Sequence, residues 1–249
     1  RRRSAFAEFL TASVAAERQR EPVRNYLGAS LLGGECQRAL QFAYFHVPPD
    51  EGKEIDGRKQ MIFDRGHWAE AYLAQKMIRA GFDLRLKDKN GRQYEFSILD
   101  GKVKGHCDGV LVAGPNMIKY PALWENKCLG WKYWKQLEKD KLKKFSSTYY
   151  GQVQIMMAYF ELTDNPALFT AINADTMELY DELVTFDAET AQRVSDGAVQ
   201  IIGACEAGEL LPRISTDPSF YKCKWCDWAK RCLASMGPRL FRRGNKGRP

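Results

Sequence analysis

The spacing of apolar residues changes at Gly81, and this change limits the folds that the chain can adopt. Before it, residues 59–80 place apolar side chains at helical intervals, and Gly81 is suited to end that helix. After it, apolar and polar residues alternate, as in half-buried strands, over 82–87, 92–99, 102–113 and 117–128. The pair Asp100-Gly101 signals a hairpin between two of these segments. The pattern predicts a helix followed by a mostly antiparallel meander of three adjacent strands.

The remaining segments add helices and two more strands. Helices are predicted over 4–20, over the part of 22–45 that carries Cys36, and over 131–145, 149–162 and 188–208, with strands over 167–174 and 178–186. These elements predict an α/β (α+β) fold with a central mixed sheet flanked by helices. We divide the chain into an N-terminal helical segment (1–58), a core (59–209), and a C-terminal cysteine segment with a basic tail (210–249).

The segment ALWENKCLGW, residues 122–131, places two charged residues inside an apolar run. Alternate side chains of a strand share a face, so Glu125 and Lys127 point one way while Trp124, Asn126 and Cys128 point the other. A buried carboxylate and a buried ammonium are costly unless they pair or bind something that needs them. The pattern fits either a salt bridge on a solvated edge strand or a site that holds a cation and an anion close together.

A second carboxylate lies on the preceding strand, in KGHCDGVLV (104–112). We expect Asp108 and Glu125 to meet on adjacent strands, with Lys127 beside them. Two neighbouring carboxylates repel each other at neutral pH and favour a divalent cation such as Mg2+ or Mn2+, which also binds substrate phosphate. A lysine there can orient water and stabilise transition-state charge. Taken alone, this pattern is short enough to occur by chance.

Four segments in order make the pattern more specific: DRGHWAEAYL (64–73), GHCDGV (105–110), LWENK (123–127) and YYGQVQIMMAY (149–159). Together they resemble the PD-(D/E)XK nuclease superfamily, in particular its RecB-like exonucleases, with a glutamine motif similar to that of lambda-exonuclease-like enzymes. The resemblance implies a restriction-endonuclease-like core and a set of metal ligands: His67, Asp108, Glu125 and the backbone carbonyl of Asn126. It also implies that Lys127 acts on the attacking water and that Gln152 positions the water or the phosphate.

Each of these residues also has a purely structural interpretation. A histidine such as His67, on a helix among aromatic residues, is usually structural. Glu70, one turn further along, is either a partner that orients His67 or a surface charge. Gln152 and Gln154 fit an ordinary helix surface, and Gln154 fits the glutamine motif as an alternative to Gln152. Tyr159 lies further from the glutamine than the family tyrosine does.

Seven cysteines and no signal-peptide pattern argue against a disulfide framework and favour a reducing compartment. Cys223, Cys226 and Cys232 form C-x2-C-x5-C, a metal-ligand spacing whose fourth ligand must be distant, and Cys36 is the natural candidate. This set resembles the RecB-like CRISPR-associated exonucleases and the AddB nuclease domain, which implies a 4Fe-4S cluster joining the N- and C-terminal segments. Zinc is the alternative metal. The other three, Cys107, Cys128 and Cys205, fit small buried apolar residues.

Residues 128–145 interleave aromatic residues with lysines directly after the Glu125–Lys127 strand. Lysines neutralise phosphates, and aromatic faces stack on unpaired bases. The candidate DNA-binding residues are Trp131, Lys132, Trp134, Lys135 and, less directly, Tyr159. The alternative is a solvated helix whose aromatic residues pack on the sheet. The basic tail at 239–248 is a second electrostatic candidate, in a chain of net charge +7.

These observations predict a metal-dependent DNA exonuclease, with single-stranded DNA ends as the substrate that the resemblance implies. A stand-alone recombination or phage nuclease fits the glutamine segment better than a CRISPR-adaptation nuclease. The rivals are a DNA-binding module without turnover and a zinc-stabilised subunit of a recombination or CRISPR-adaptation complex. No apolar run is long enough to span a membrane, and no phosphate-binding G-x-x-x-x-G-K-[ST] motif is present. We expect a cytoplasmic protein, in the host cytoplasm if it is phage-encoded.

Overall fold

The computed structural model describes residues 4–234. The longer helices are α1 (Ala5–Arg20), α3 (Gln37–Tyr44), α4 (Gly57–Arg79), α5 (Trp131–Phe145), α6 (Ser147–Tyr159) and α7 (Ala188–Ala207). Three short helices complete the set: α2 (Ala29–Leu32), α8 (Tyr221–Trp225) and α9 (Ala229–Ala234). The strands are β1 (Leu27–Gly28), β2 (Asp83–Arg85), β3 (Glu95–Ile98), β4 (Val103–His106), β5 (Gly109–Ala113), β6 (Ala122–Leu129), β7 (Ala167–Asn173) and β8 (Leu179–Val184). Within this part of the chain, each helix is too short or too polar to cross a bilayer.

The main sheet has five strands in the order β2-β5-β6-β7-β8. The central pair β6–β7 is parallel, and the other pairings are antiparallel. Helix α4 packs on one face through a cluster that includes Ala69, Leu73 and Trp124, and α6 and α7 pack on the other. The predicted α/β architecture, a central mixed sheet flanked by helices, is confirmed.

The predicted meander is wrong in one place. The segment expected to form one strand over 102–113 is two strands in two sheets, because β4 pairs with β1 and β3 in a separate three-stranded sheet. The break falls at Cys107 and Asp108, so Asp108 lies at a strand junction rather than in mid-strand. Gly109, the first residue of β5, allows β5 to lie close to Leu84 of β2, since a Cβ at this position would be 2.7 Å from Leu84 Cδ1.

The N-terminal segment is also more broken than the sequence indicates. Two helices, α2 and α3, stand where one was predicted, and Cys36 is the N-cap of α3 rather than part of a helix. Leu27, Leu32 and Leu40 from this segment belong to the same apolar cluster as α6 and α7. The division into segments 1–58, 59–209 and 210–249 stays a prediction.

A close approach between glycines fixes α6 against this N-terminal segment. A Cβ on Gly151 would lie 2.8 Å from Gly33 Cα and 3.1 Å from Val194 Cγ2. A Cβ on Gly33 would lie 2.5 Å from the carbonyl oxygen of Ser147. The backbone of α6 therefore sits where only glycine at both positions allows it.

We expect Gly151→Ala to lower the free energy of unfolding by about 1–3 kcal/mol, because overpacking forces backbone shifts. In a helix with free space the same change usually stabilises. Gly203 in α7 has nothing within 4 Å of an added Cβ, so Gly203→Ala is the matched control. Urea unfolding of both variants checks this, and equal stability of the two would contradict the packing argument.

Candidate active site

The face of β6 that carries Glu125 and Lys127 is buried beneath α6. Glu125 is only 1% exposed, and its Oε1 accepts hydrogen bonds from the Lys127 ammonium and from Gln152 Nε2, the latter at 2.7 Å. Lys127 Nζ also lies 5.2 Å from the centre of the Tyr149 ring. On the opposite face, Trp124 packs against α4. The strand therefore presents its charged pair to one side, as alternation predicts.

Asp108 reaches the same place from the strand junction. Its Oδ2 accepts a hydrogen bond from the backbone N–H of Asn126 at 2.8 Å. Pairing between β5 and β6 ends at Trp124, so the edge of β6 beyond that point is open. The N–H and C=O of one strand residue point to the same side. The carbonyl of Asn126 therefore faces the side of Asp108 as well.

A third carboxylate joins the pair from α4. Glu70 lies in the same cavity as Asp108, and its Oε2 is 4.0 Å from His67 Nδ1. His67 itself is 81% exposed along its side chain, at the edge of this cavity. From the sequence we expected Glu70 only to orient His67 or to be a surface charge. Helix periodicity does not show which end of a strand the helix crosses.

Burial raises the pKa of all three carboxyl groups, and a bound cation would oppose that shift. Burial, then the charge of Asp108, raises the pKa of Glu125 to about 8 and that of Glu70 to about 7. Burial raises the pKa of Asp108, while Lys127 and the Asn126 N–H oppose the shift. Burial lowers the pKa of Lys127, but Glu125 and Asp108 outweigh it and the net shift is upward. Lys127 is therefore held as an ammonium.

The site has room and donors for a cation. Glu125 Oε2 and Gln152 Oε1 are buried without a hydrogen-bond partner. An unpaired buried carboxylate oxygen is costly, and a hard divalent cation with oxygen ligands would satisfy it. As the side chains stand, residues 4–234 hold no group of three His, Cys, Asp or Glu close enough together to bind a metal ion. The donor set fits a cation that draws these groups together.

The two glutamines of α6 have different surroundings. Gln152 contacts Glu125 in the site. Gln154 Nε2 donates to the Thr185 carbonyl at 3.1 Å, and its Oε1 accepts from the Asp187 N–H at 2.7 Å. Gln154 thus holds the start of α7, and the structure places only Gln152 against the charged pair.

Asp108 and Glu70 line a cavity of about 460 Å³ that basic side chains also line, and we call these basic residues the rim. The rim residues are Arg24, Lys87, Lys104 and His106, with Tyr26 among them. Lys104 Nζ lies 5.5 Å from the centre of the Tyr26 ring. Sequence reasoning missed this rim. The alternation of Lys104, His106 and Asp108 could have indicated that these side chains share one face. Arg24 lies far away in sequence, and no pattern linked it to them.

The five candidate DNA-binding residues do not form one surface. Trp131, Lys132 and Lys135 are exposed near the start of α5, where Lys135 Nζ lies 4.8 Å from the centre of the Trp131 ring. Trp134 is only 4% exposed and packs in the core, so its face is not open to a base. Tyr159 stacks on Phe96 at the far end of α6. The basic tail at 239–248 lies outside the described residues.

The four candidate cluster cysteines line a single cavity of about 590 Å³: Cys36, Cys223, Cys226 and Cys232. Burial, then the neighbouring Cys36 and Cys232, raises the pKa of Cys223. The C-terminal helices are anchored there because both Asp50 carboxylate oxygens cap α9, at 2.6 Å from Lys230 N and 3.2 Å from Arg231 N.

The other three cysteines lie elsewhere in the structure. Cys107 and Cys205 are buried in the main apolar cluster, and Cys128 packs against the cluster on the α4 side. Their placement agrees with the expectation that they act as small apolar residues.

Comparisons with known proteins bear on the fold. No family model and no curated protein matches the chain. The fold is restriction-endonuclease-like, with a central mixed sheet flanked by helices. The structure of SSO0001 matches with a TM-score of 0.51 and 15% identity, over 94% of this chain and 99% of that one.

An alkaline exonuclease from Laribacter hongkongensis, LHK-Exo, is also similar. Its complex with dAMP matches with a TM-score of 0.50 and 16% identity, over 80% of this chain and 93% of that one. At these identities the likeness concerns the fold alone.

The raised pKa values predict how the stability of the metal-free protein depends on pH. The folded state keeps a proton on Glu125 up to about pH 8, whereas unfolded glutamate loses it near pH 4.3. Between these values the folded state binds more protons, so the free energy of unfolding falls as pH rises. In Glu125→Gln we expect a shallower fall. Urea unfolding in chelator across this range measures it, with Glu51→Gln in an exposed loop as the control. Equal slopes in Glu125→Gln and wild type would refute the assignment.

Proposed function

We propose that this protein is a metal-dependent deoxyribonuclease that hydrolyses DNA from its ends. The observation that carries the proposal is Glu125. It is buried, shares one oxygen between Lys127 and Gln152, and leaves the other oxygen without a hydrogen-bond partner. Its neighbours Asp108 and Gln152 line a cavity that basic side chains also line. A structural ion pair has no need of a second unsatisfied carboxylate oxygen.

Four groups would hold a Mg2+ or Mn2+ ion: the carboxylates of Asp108 and Glu125, the carbonyl of Asn126, and either His67 or Glu70 from α4. When bound, such an ion supplies Lewis-acid activation of water and neutralises phosphate charge. Glu70 is the better-placed helix ligand because it faces Asp108, while His67 is largely exposed.

The protein side chains then have distinct roles. Because Lys127 is held as an ammonium, it donates a hydrogen bond to the attacking water or a phosphate oxygen and stabilises developing negative charge. Gln152 is a positioning residue, since it holds Glu125 Oε1 in place through its amide N–H.

The basic rim supports a polyanionic substrate. Arg24, Lys87 and Lys104 surround the entrance to the carboxylates, and Trp131 with Lys135 adds an exposed aromatic face and a cation near the end of β6. Positive charge with aromatic faces is the combination that binds single-stranded nucleic acid. LHK-Exo was crystallised with dAMP, a product that such a hydrolysis releases. The preference for single-stranded ends rests on the resemblance.

The rival function is a DNA-binding or structural subunit without turnover. The family resemblance supports protein partners that act in DNA recombination or CRISPR adaptation. The seven free thiols favour a location in a reducing cytoplasm.

Replacing Lys127 by Ala separates these functions. We expect Lys127→Ala to lower the Mn2+-dependent rate on end-labelled single-stranded DNA by about 100-fold or more, because the variant lacks one preorganised charge donor at the transition state. Lys119→Ala, an exposed lysine before β6, is the control and should keep the wild-type rate.

Release of label from either end is measured in parallel, which also gives the polarity of digestion. If wild type and Lys127→Ala both bind DNA and neither degrades it, the protein is a binding module. If both degrade it equally, the active site lies elsewhere.

We further propose a 4Fe-4S cluster on Cys36, Cys223, Cys226 and Cys232. Four thiols around one apolar cavity are a donor set that suits iron–sulfur ligation. The cavity borders the active-site helix, because Glu35 pairs with Lys222 and accepts a hydrogen bond from Ser147 Oγ at 3.1 Å, at the start of α6. Joining Cys36 to Cys223 closes most of the chain into one loop, which restricts the unfolded state. Zinc is the alternative metal.

Anaerobically purified protein tests the cluster. We expect a brown sample with visible absorbance and stoichiometric iron and sulfide, and loss of all three in Cys223→Ser. Cys205→Ala, which removes a thiol buried outside this cavity, should keep them. A colourless protein that contains zinc would favour the alternative.

A further inference from the structure

One face of α4 carries a line of basic and aromatic residues that the active site does not use. We call it the α4 stripe, and its members are Arg65, Trp68, Tyr72, Lys76 and Arg79. Successive members are three or four residues apart, so their side chains follow one another along the helix surface. Trp68, Tyr72, Lys76 and Arg79 are exposed, next to the face that packs on the sheet through Ala69, Leu73 and Met77.

The two rings of the stripe form an ordered stack. Trp68 and Tyr72 are stacked with centroids 5.3 Å apart and planes 19° apart, and Lys76 Nζ lies 5.0 Å from the centre of the Tyr72 ring. Trp68 is 56% exposed. Among residues 4–234, only Tyr72 stacks on it, so one broad face of the indole is open to solvent. A rigid open face of this kind offers stacking area at little entropic cost.

The charges of the stripe lack carboxylate partners. Within the described residues, no Asp or Glu forms an ion pair with Arg65, Lys76 or Arg79. Many basic side chains elsewhere on the surface do have one, as Lys135 has Glu138. A protein partner with an acidic patch would satisfy the charges but would not need an exposed stacked indole. A chain of phosphates with unpaired bases satisfies both.

The stripe begins against β6, on the face of the strand opposite to Glu125 and Lys127. Arg65 hydrogen-bonds the thiol of Cys128, the residue after Lys127 on β6. From Arg65 to Arg79 the helix runs roughly 21 Å at 1.5 Å per residue. The same helix carries Glu70 in the catalytic cavity. A nucleic acid strand that reaches the cavity would pass around α4, which is about 10–12 Å across with its side chains, to meet the stripe, which has room for several nucleotides.

We infer that the α4 stripe binds single-stranded nucleic acid, with a base stacked on Trp68 and phosphates on Lys76 and Arg79. This inference builds on the proposed function and adds to it a second binding surface outside the catalytic cavity. The stripe binds the nucleic acid strand, and the catalytic cavity hydrolyses that strand at its end.

Binding measured in chelator tests the stripe without any catalysis. Fluorescence anisotropy gives the Kd for a labelled single-stranded oligonucleotide long enough to span cavity and stripe. We expect Trp68→Ala to raise this Kd about fivefold or more, because the variant cannot form the base–aromatic stack, and Trp68→Phe to keep part of the affinity. Phe9→Ala, which removes an even more exposed ring on α1, is the control and should leave Kd unchanged.

Charge and length provide independent checks. The double variant Lys76→Glu with Arg79→Glu should lower the salt slope of log Kd by about 0.7 for each phosphate that the variant no longer neutralises. A dinucleotide, which is too short to reach the stripe from the cavity, should bind all these variants like wild type. Thermal unfolding confirms that the exposed substitutions leave the fold intact.

The outcomes separate this inference from the proposed function. An unchanged Kd in both Trp68→Ala and the charge-reversed variant overturns the stripe, even if Mn2+-dependent cleavage is observed. A raised Kd in a protein that shows no cleavage supports the stripe and removes the nuclease. A loss of affinity for the dinucleotide as well would mean that Trp68 acts through the cavity, and this too overturns the inference.

Discussion

The buried carboxylate of Glu125 is the interaction on which the rest of the site depends. A carboxyl group buried under a helix is stable only if neighbouring groups compensate it, and here Lys127 and Gln152 share one of its oxygens. Gln152 stands on α6, which the Gly33–Gly151 contact holds close to the N-terminal segment. The glycine packing, the helix position and the charge balance are thus parts of one arrangement, and the second Glu125 oxygen stays open within it.

The junction at Asp108 gives this arrangement its opening. If residues 102–113 formed one continuous strand, its pairing would cover the edge of β6 and leave no room beside Asn126. Because the chain leaves one sheet at His106 and enters the other at Gly109, Asp108 turns into the gap and accepts the Asn126 N–H. The same gap admits Glu70 from α4. A break in regular pairing thereby leaves room for Asp108 and Glu70 in one cavity beside the open edge of β6.

Much of the fold was predictable because its signals are local. Helix periodicity located α4 and α7 to within a few residues, and alternation placed Glu125 and Lys127 on one face. Prediction failed where two sheets compete for one apolar run, as at Cys107, because each half alternates equally well. It also failed for Trp134, since aromatic and basic residues on one helix do not reveal which rings the core takes.

The sequence by itself determined which side chains share a face and which cysteines lie close together along the chain, since both follow from spacing of a few residues. Only the tertiary structure decided that Glu70 faces Asp108, that Arg24 and Lys104 share one rim, and that Cys36 and Cys223 line one cavity. Those pairs are separated by tens to nearly two hundred residues. Periodicity states that a residue is buried or exposed, whereas its partner is set by how whole elements pack.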